Sequence, residues 1–153
     1  MPFDLERPGF RLVPFQGGSQ FPLECRIFQA YLDDQENIIP YEALSYAWGE
    51  QNTPEEVVMG GKPMFVTTSL HEALCYMRQP HEDRILWADA ICIDQSDVNE
   101  RDQQVRHMVE IYGKADNLII WLSFVNNNPA SKSRSAPRFK PSQKRTKIRD
   151  QRF

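Results

Sequence analysis

Between Arg84 and Leu122 two apolar runs flank a helix of about fifteen residues, and this order limits the chain to few folds. The first run spans residues 84–93 and carries Ile85, Leu86, Trp87 and Ala88; the second is Leu118-Ile-Ile-Trp-Leu122. In the intervening helix Val105, Met108, Val109, Tyr112 and Ala115 recur at helical spacing, with Gly113 near the end. Asp97 or Asn99 is placed to cap it, after the polar loop Asp94-Gln-Ser-Asp97. A strand, a helix and a strand of these lengths form a βαβ unit. Such a unit requires parallel pairing, because only a hairpin returns a strand antiparallel across a short turn.

The residues upstream extend this core. Residues 10–15 read as a short strand, placed at an edge because Pro14 cannot donate to a ladder. Leu23, Cys25 and Ile27 alternate with charged residues, as in a half-buried strand. The aromatic-rich run from Tyr41 to Trp48, closed by Gly49, reads as a buried strand. Two short strands around Gly60 and Gly61 form a hairpin. Ser69 and Glu72 have capping-box spacing, so a helix is expected from there, burying Leu70, Ala73, Leu74 and Met77 and stopping before Pro80.

Charge divides the chain. Residues 1–125 hold 9 Lys and Arg against 20 Asp and Glu, a net charge of −11; residues 126–153 hold 9 against one, a net of +8. The second segment is rich in Asn, Ser, Pro and basic residues, so disorder is expected there, with weak polyanion binding or engagement of an import receptor as candidate activities. Nucleic acid is otherwise not an expected partner. The resulting organisation is an N-terminal extension (1–9), a domain (10–125) and a disordered basic tail (126–153). Cys25, Cys75 and Cys92 are scattered without C-x-x-C spacing, which fits a reducing compartment. The start of the chain lacks the pattern of a signal peptide, and no run approaches the length of a membrane span. A cytoplasmic location is expected, without membrane association.

Three blocks resemble a known family. They are Tyr41-Glu-Ala-Leu-Ser-Tyr-Ala-Trp-Gly49, Leu86-Trp-Ala-Asp-Ala-Ile-Cys-Ile-Asp-Gln95, and Asn99-Glu-Arg-Asp-Gln-Gln-Val-Arg-His-Met108 continuing to Trp121 and Leu122. In this order they are similar to the signature blocks of the heterokaryon-incompatibility (HET) domain of filamentous fungi. The resemblance covers residues 10–122. It implies a module of nonself recognition and programmed cell death, acting through protein partners or self-association. It also implies a distant likeness to Toll/interleukin-1-receptor (TIR) domains, some of which cleave NAD. The expected fold is thus α/β, a TIR-like open sheet with a parallel βαβ core preceded by N-terminal strands. No cofactor is implied, and NAD enters only as a candidate substrate. Family members usually have Gly after the Trp-Leu pair, where this chain has Ser123 and Phe124. They then continue with further helix and strand, so the domain is expected to be incomplete at its C-terminus.

Ligands of open α/β sheets sit outside the carboxyl ends of the strands. That edge is expected to gather Trp48, Gly49, Asp89, Asp94, Gln95, Glu100 and Arg101. Glu100 and Asp94 are the candidate catalytic carboxylates; the other five are candidates for binding a ligand or partner. Helical arithmetic turns Arg101 toward the sheet, where a pair with Asp89 or Asp94 is the favoured account over a ligand role. The same arithmetic turns Glu100 outward, where it would complement the helix dipole.

Other constellations carry less. Tyr41, Tyr46, Trp87 and Trp121 are better read as core than as a base-stacking pocket, Trp48 alone suiting a loop edge. Cys92 and His107 resemble a nucleophile and base only in composition, since Cys92 falls in mid-strand. His71, His81 and His107 lack metal-ligand spacing, Ser45 lies outside a G-x-S-x-G elbow, and there is no Gly-rich phosphate loop.

Overall fold

The structure is a computed structural model that describes residues 6–19, 22–47 and 54–122. Trp48 and Gly49, the basic tail, and Ser123 and Phe124 lie outside the described residues.

Among the described residues eleven elements follow in chain order. They are β1 (Gly9–Phe15), β2 (Leu23–Cys25), β3 (Phe28–Tyr31), β4 (Glu42–Tyr46), β5 (Glu55–Met59), β6 (Lys62–Val66), α1 (Thr68–Met77), β7 (Arg84–Trp87), α2 (Asp89–Cys92), α3 (Val98–Lys114) and β8 (Asn117–Trp121). The strands form one mixed sheet in the order β6-β5-β2-β1-β7-β4-β8, with β3 added to β1. β4 pairs parallel with β7 (Ala43 opposite Trp87) and with β8 (Ala43 opposite Leu118). The expected parallel trio is therefore present, with β4 inserted between the two strands of the βαβ unit.

Register assigns the faces, because paired residues project to the same side. Trp87, Ala43 and Leu118 share one face, and the Tyr112 ring of α3 meets Trp87 edge-on at 5.0 Å, so α3 covers that side. Leu86, Leu44 and Trp121 lie on the other face, where the Tyr76 ring of α1 packs on Trp121 at 5.2 Å. Two helices on opposite faces of the sheet enclose a core centred on Leu12, Phe15, Leu44, Leu70, Leu74, Leu86 and Trp87.

Several local expectations hold. The hairpin β5–β6 turns at Gly60 and Gly61, whose φ values of 57° and 80° are the positive angles that a two-residue hairpin turn of the mirror-image type demands. In α1, Leu70, Ala73, Leu74 and Met77 are buried as expected. The cap lies two residues earlier than the Ser69–Glu72 spacing suggests: the Thr67 hydroxyl accepts the Leu70 N–H at 3.3 Å, and Ser69 is buried within the helix.

Three expectations are corrected. β1 is interior rather than at an edge. Its ladders are divided: β3 takes residues 9–12, β7 takes 13–15, and β2 takes Phe15 alone. Among the described residues Pro14 has one strand partner, Ile85 of β7, so only one flank of the strand is laddered at the proline. The strand expected over residues 84–93 ends at Trp87, and the chain turns at once into α2. Cys92 therefore lies in a helical turn, with the Ala88 N–H on its sulfur at 3.4 Å. Finally, α3 is rotated from its expected phase. Its buried line is Glu100, Gln104 and Ile111, while Val105 and Val109 are exposed. Two polar residues with buried partners occupy core-facing positions, and counting only apolar residues misplaced the stripe.

Candidate functional site

The carboxyl end of β7, which pairs parallel with β4, leads into α2, the loop 93–97 and the first turn of α3. Asp97 caps that turn: its carboxylate accepts the N–H groups of Asn99 at 3.0 Å and Glu100 at 3.2 Å. With the turn so fixed, the Glu100 side chain points into the protein and is 2% exposed.

Its partner is Arg11 of β1. The guanidinium grips both Glu100 carboxylate oxygens, Nη2 donating to Oε2 at 2.8 Å and Nη1 to Oε1. Oε1 also accepts the Asp94 N–H at 2.8 Å, and Arg11 Nη1 reaches the Cys92 carbonyl at 3.4 Å. One buried ion pair thus ties β1, α2, the loop and α3 together. A bidentate pair with a third donor leaves the carboxylate little free acceptor capacity. One turn along, the Gln104 amide donates to the Gly9 carbonyl at 2.6 Å, a second tie between α3 and β1.

The outward expectation for Glu100 is therefore wrong, and so is the inward one for Arg101. Arg101 is exposed, and its nearest carboxylate is the adjacent Asp102 at 3.9 Å. A single cause lies behind both errors: the helix is rotated so that position 100, not 101, faces the sheet. The anticipated internal Arg–carboxylate tie exists, but between Arg11 and Glu100 rather than between Arg101 and Asp89 or Asp94. Sequence reasoning missed Arg11 and Gln104. The available signals were a charged residue inside the apolar strand Phe10-Arg-Leu-Val13 and a glutamine four residues after Glu100.

The remaining candidates are partly gathered. Asp89, half-buried, accepts the Ala90 N–H at 2.7 Å, and its carbonyl accepts the Gln95 amide at 3.4 Å. Burial, and then the Asp89 charge, raise the ionisation of both Tyr46 and Tyr112 above the usual phenol range. Asp89 thus sits beside two neutral tyrosines at the ends of parallel strands. Asp94 is exposed and accepts the Ser96 hydroxyl at 2.6 Å and the Ser96 N–H at 2.9 Å. Those bonds hold its carboxyl below the usual range, so it is ionised at neutral pH.

Cysteine chemistry is disfavoured here. Burial pushes the Cys92 thiol up to about 12 and the Cys25 thiol up to about 11, far from a thiolate nucleophile at neutral pH. Among the described residues no group of three or more His, Cys, Asp or Glu side chains is arranged to hold a metal ion. None of the described helices is long and apolar enough to cross a membrane.

Comparison with known proteins fits the three sequence blocks. Residues 41–152 match the heterokaryon incompatibility protein (HET) family. The chain is 34% identical over 113 residues to heterokaryon incompatibility protein 6, OR allele, of Neurospora crassa. That alignment takes in 65% of this chain and 16% of the relative, so the chain spans a small part of that protein's length. No solved structure matches. With its signature blocks forming β4, the β7–α2 segment and α3, the chain belongs to the heterokaryon incompatibility (HET) family of fungal proteins.

Proposed function

We propose that this chain is a module of fungal nonself recognition and programmed cell death that acts through protein–protein assembly. One observation carries the reading: the apolar residues that the fold leaves outside. Leu118, Ile120 and Leu122 are 53%, 64% and 70% exposed at the sheet's edge, and Val105 and Val109 are exposed on α3. Scattered exposed aliphatics are ordinary, whereas an alternating run on one strand marks a surface suited to a partner. The polar end of the sheet supports the same reading from the other side, since Glu100 is already engaged by Arg11 and the Asp94 N–H.

A second reading, a TIR-like hydrolase with NAD as substrate, is favoured by Asp89 beside Tyr46 and Tyr112 at the ends of parallel strands, where ligand crevices form. In it Asp94 or Glu100 would be catalytic, with Trp48, Gly49, Asp89, Gln95 and Arg101 binding. The two separate in one experiment. Hyphae expressing the chain are scored for viability while the purified protein is incubated with NAD. Assembly predicts loss of viability without nicotinamide release; release that disappears in Asp94→Asn or Glu100→Gln would replace it with the hydrolase.

A further inference from the structure

The strands at the two ends of the sheet's order are built differently. β6 opens with Lys62 and Pro63, a charge and a residue without an N–H, both of which discourage a further strand from adding. β8 reads Asn-Leu-Ile-Ile-Trp, followed by Leu122, and contains neither device. Among the described residues β8 pairs with β4 alone, and Leu118 and Ile120 are 53% and 64% exposed on it.

We propose that β8 is a self-complementary edge at which two copies of this chain join antiparallel into one continuous sheet. The inference rests on the assembly reading and names its partner as a second copy. The argument is one of symmetry. An antiparallel pair about a two-fold axis at Ile120 sets each residue n opposite residue 240 − n of the second copy. Leu118 then meets Leu122, Ile120 meets Ile120, and Ile119 meets Trp121. Every one of these pairs is apolar, and Leu118, Ile120 and Leu122, the exposed three, fall together on one face. Residues 118–122 carry no charge, so nothing in the strand faces its own copy across the axis with like sign. Such an interface is isologous and closes at two copies, whereas a head-to-tail edge would continue into a filament. At the far end of the sheet's order, Lys62 and Pro63 of β6 discourage a further strand from extending it.

The test uses the full 153-residue chain, with Cys75→Ser as background because the other two thiols, Cys25 and Cys92, are buried. Sedimentation equilibrium of the parent chain should show a monomer–dimer equilibrium. Ile120→Lys, which places two ammonium groups face to face, should weaken it at least about tenfold. Its circular dichroism should stay unchanged, since Ile120 is exposed. Crosslinking with a short bismaleimide reads the register independently. Ile120→Cys should link to itself, and a mixture of Leu118→Cys and Leu122→Cys should link to each other faster than either links to itself. Dimerisation unchanged by Ile120→Lys overturns the edge and leaves the assembly reading standing. Preferred self-linking of Leu118→Cys, or a chain monomeric at every concentration, also overturns it. Nicotinamide release by the monomer would instead overturn the assembly reading itself.

Discussion

Glu100 and Ile120 sit in opposite circumstances to those their chemistry suggests. The carboxylate is 2% exposed and the isoleucine 64%. Around Glu100 the protein has drawn its densest polar stretch inward and closed it with an arginine from another strand. At β8 it has left an apolar strand outward and open. The lesson is that polar density alone does not mark a working surface. A polar cluster whose members satisfy one another holds the fold together, while exposed apolar side chains along a strand are the better place to look for a contact.

The largest expected effect tests the closed region. Glu100→Ala leaves the Arg11 guanidinium largely buried and strands the Asp94 N–H, so the domain should lose about 3–5 kcal/mol of stability. Urea denaturation measures it, and Arg11→Ala should cost a similar amount. The double variant should lose much less than the sum, because each single change already breaks the same pair. If the parent chain reduces hyphal viability and Glu100→Ala, at parental stability, does not, the comparison is reversed and the closed region is the working one.

Thiol reactivity sharpens the same contrast. Cys92 lies inside the lock, its carbonyl on Arg11, and its thiol sits near 12. With burial holding the thiol far above an ordinary one, little thiolate forms at pH 8. Iodoacetamide should therefore label Cys75, which is only partly buried, well before Cys25 or Cys92. Peptide mass mapping over time follows each site. In Glu100→Ala the Cys92 rate should rise, because the tie that closes α2 against β1 is gone. Equal labelling of all three cysteines in the parent would show that the region is open.

A smaller effect is expected at the cap that aims Glu100 inward. Asp97→Ala removes the acceptor for two helical N–H groups and should cost about 1 kcal/mol in a melting or urea experiment. A cost several times larger would mean that the cap and the ion pair act as one unit.

How far the sequence discloses this arrangement depends on whether a feature is local. The hairpin at Gly60 and Gly61, the buried face of α1 and the three parallel strands were legible because spacing within a few residues encodes them. The interior place of β1 was not, since Pro14 argues for an edge unless the neighbouring strands are known to stop short of it. The sequence extends the strand from residue 84 to 93 because Ile91, Cys92 and Ile93 are as apolar as the residues before them, whereas the strand ends at Trp87 and residues 89–92 form a helical turn. At the candidate site the Asp89, Asp94, Gln95 and Glu100 neighbourhood was legible as a place, but not its wiring. Arg11 and Glu100 are 89 residues apart, and no local pattern joins them.

The smallest expected effect falls on Arg101, and it is informative because it is small. Sequence arithmetic gave this residue the role that the structure gives to Glu100. Its guanidinium is exposed, and 3.9 Å to an equally exposed Asp102 is a surface pair of little consequence. Helix propensity changes little on going from Arg to Ala. Arg101→Ala should thus stay within about 0.5 kcal/mol of the parent in urea denaturation. Paired with Glu100→Ala, it compares neighbouring residues one step apart on the same helix, one inside and one outside. If Arg101→Ala were as damaging as Glu100→Ala, the inward and outward sides of α3 would not differ as described. If it kept parental stability but abolished killing in hyphae, the exposed side of the first turn would join β8 as a contact surface, and the outward face of α3 would be the next place to search for a partner.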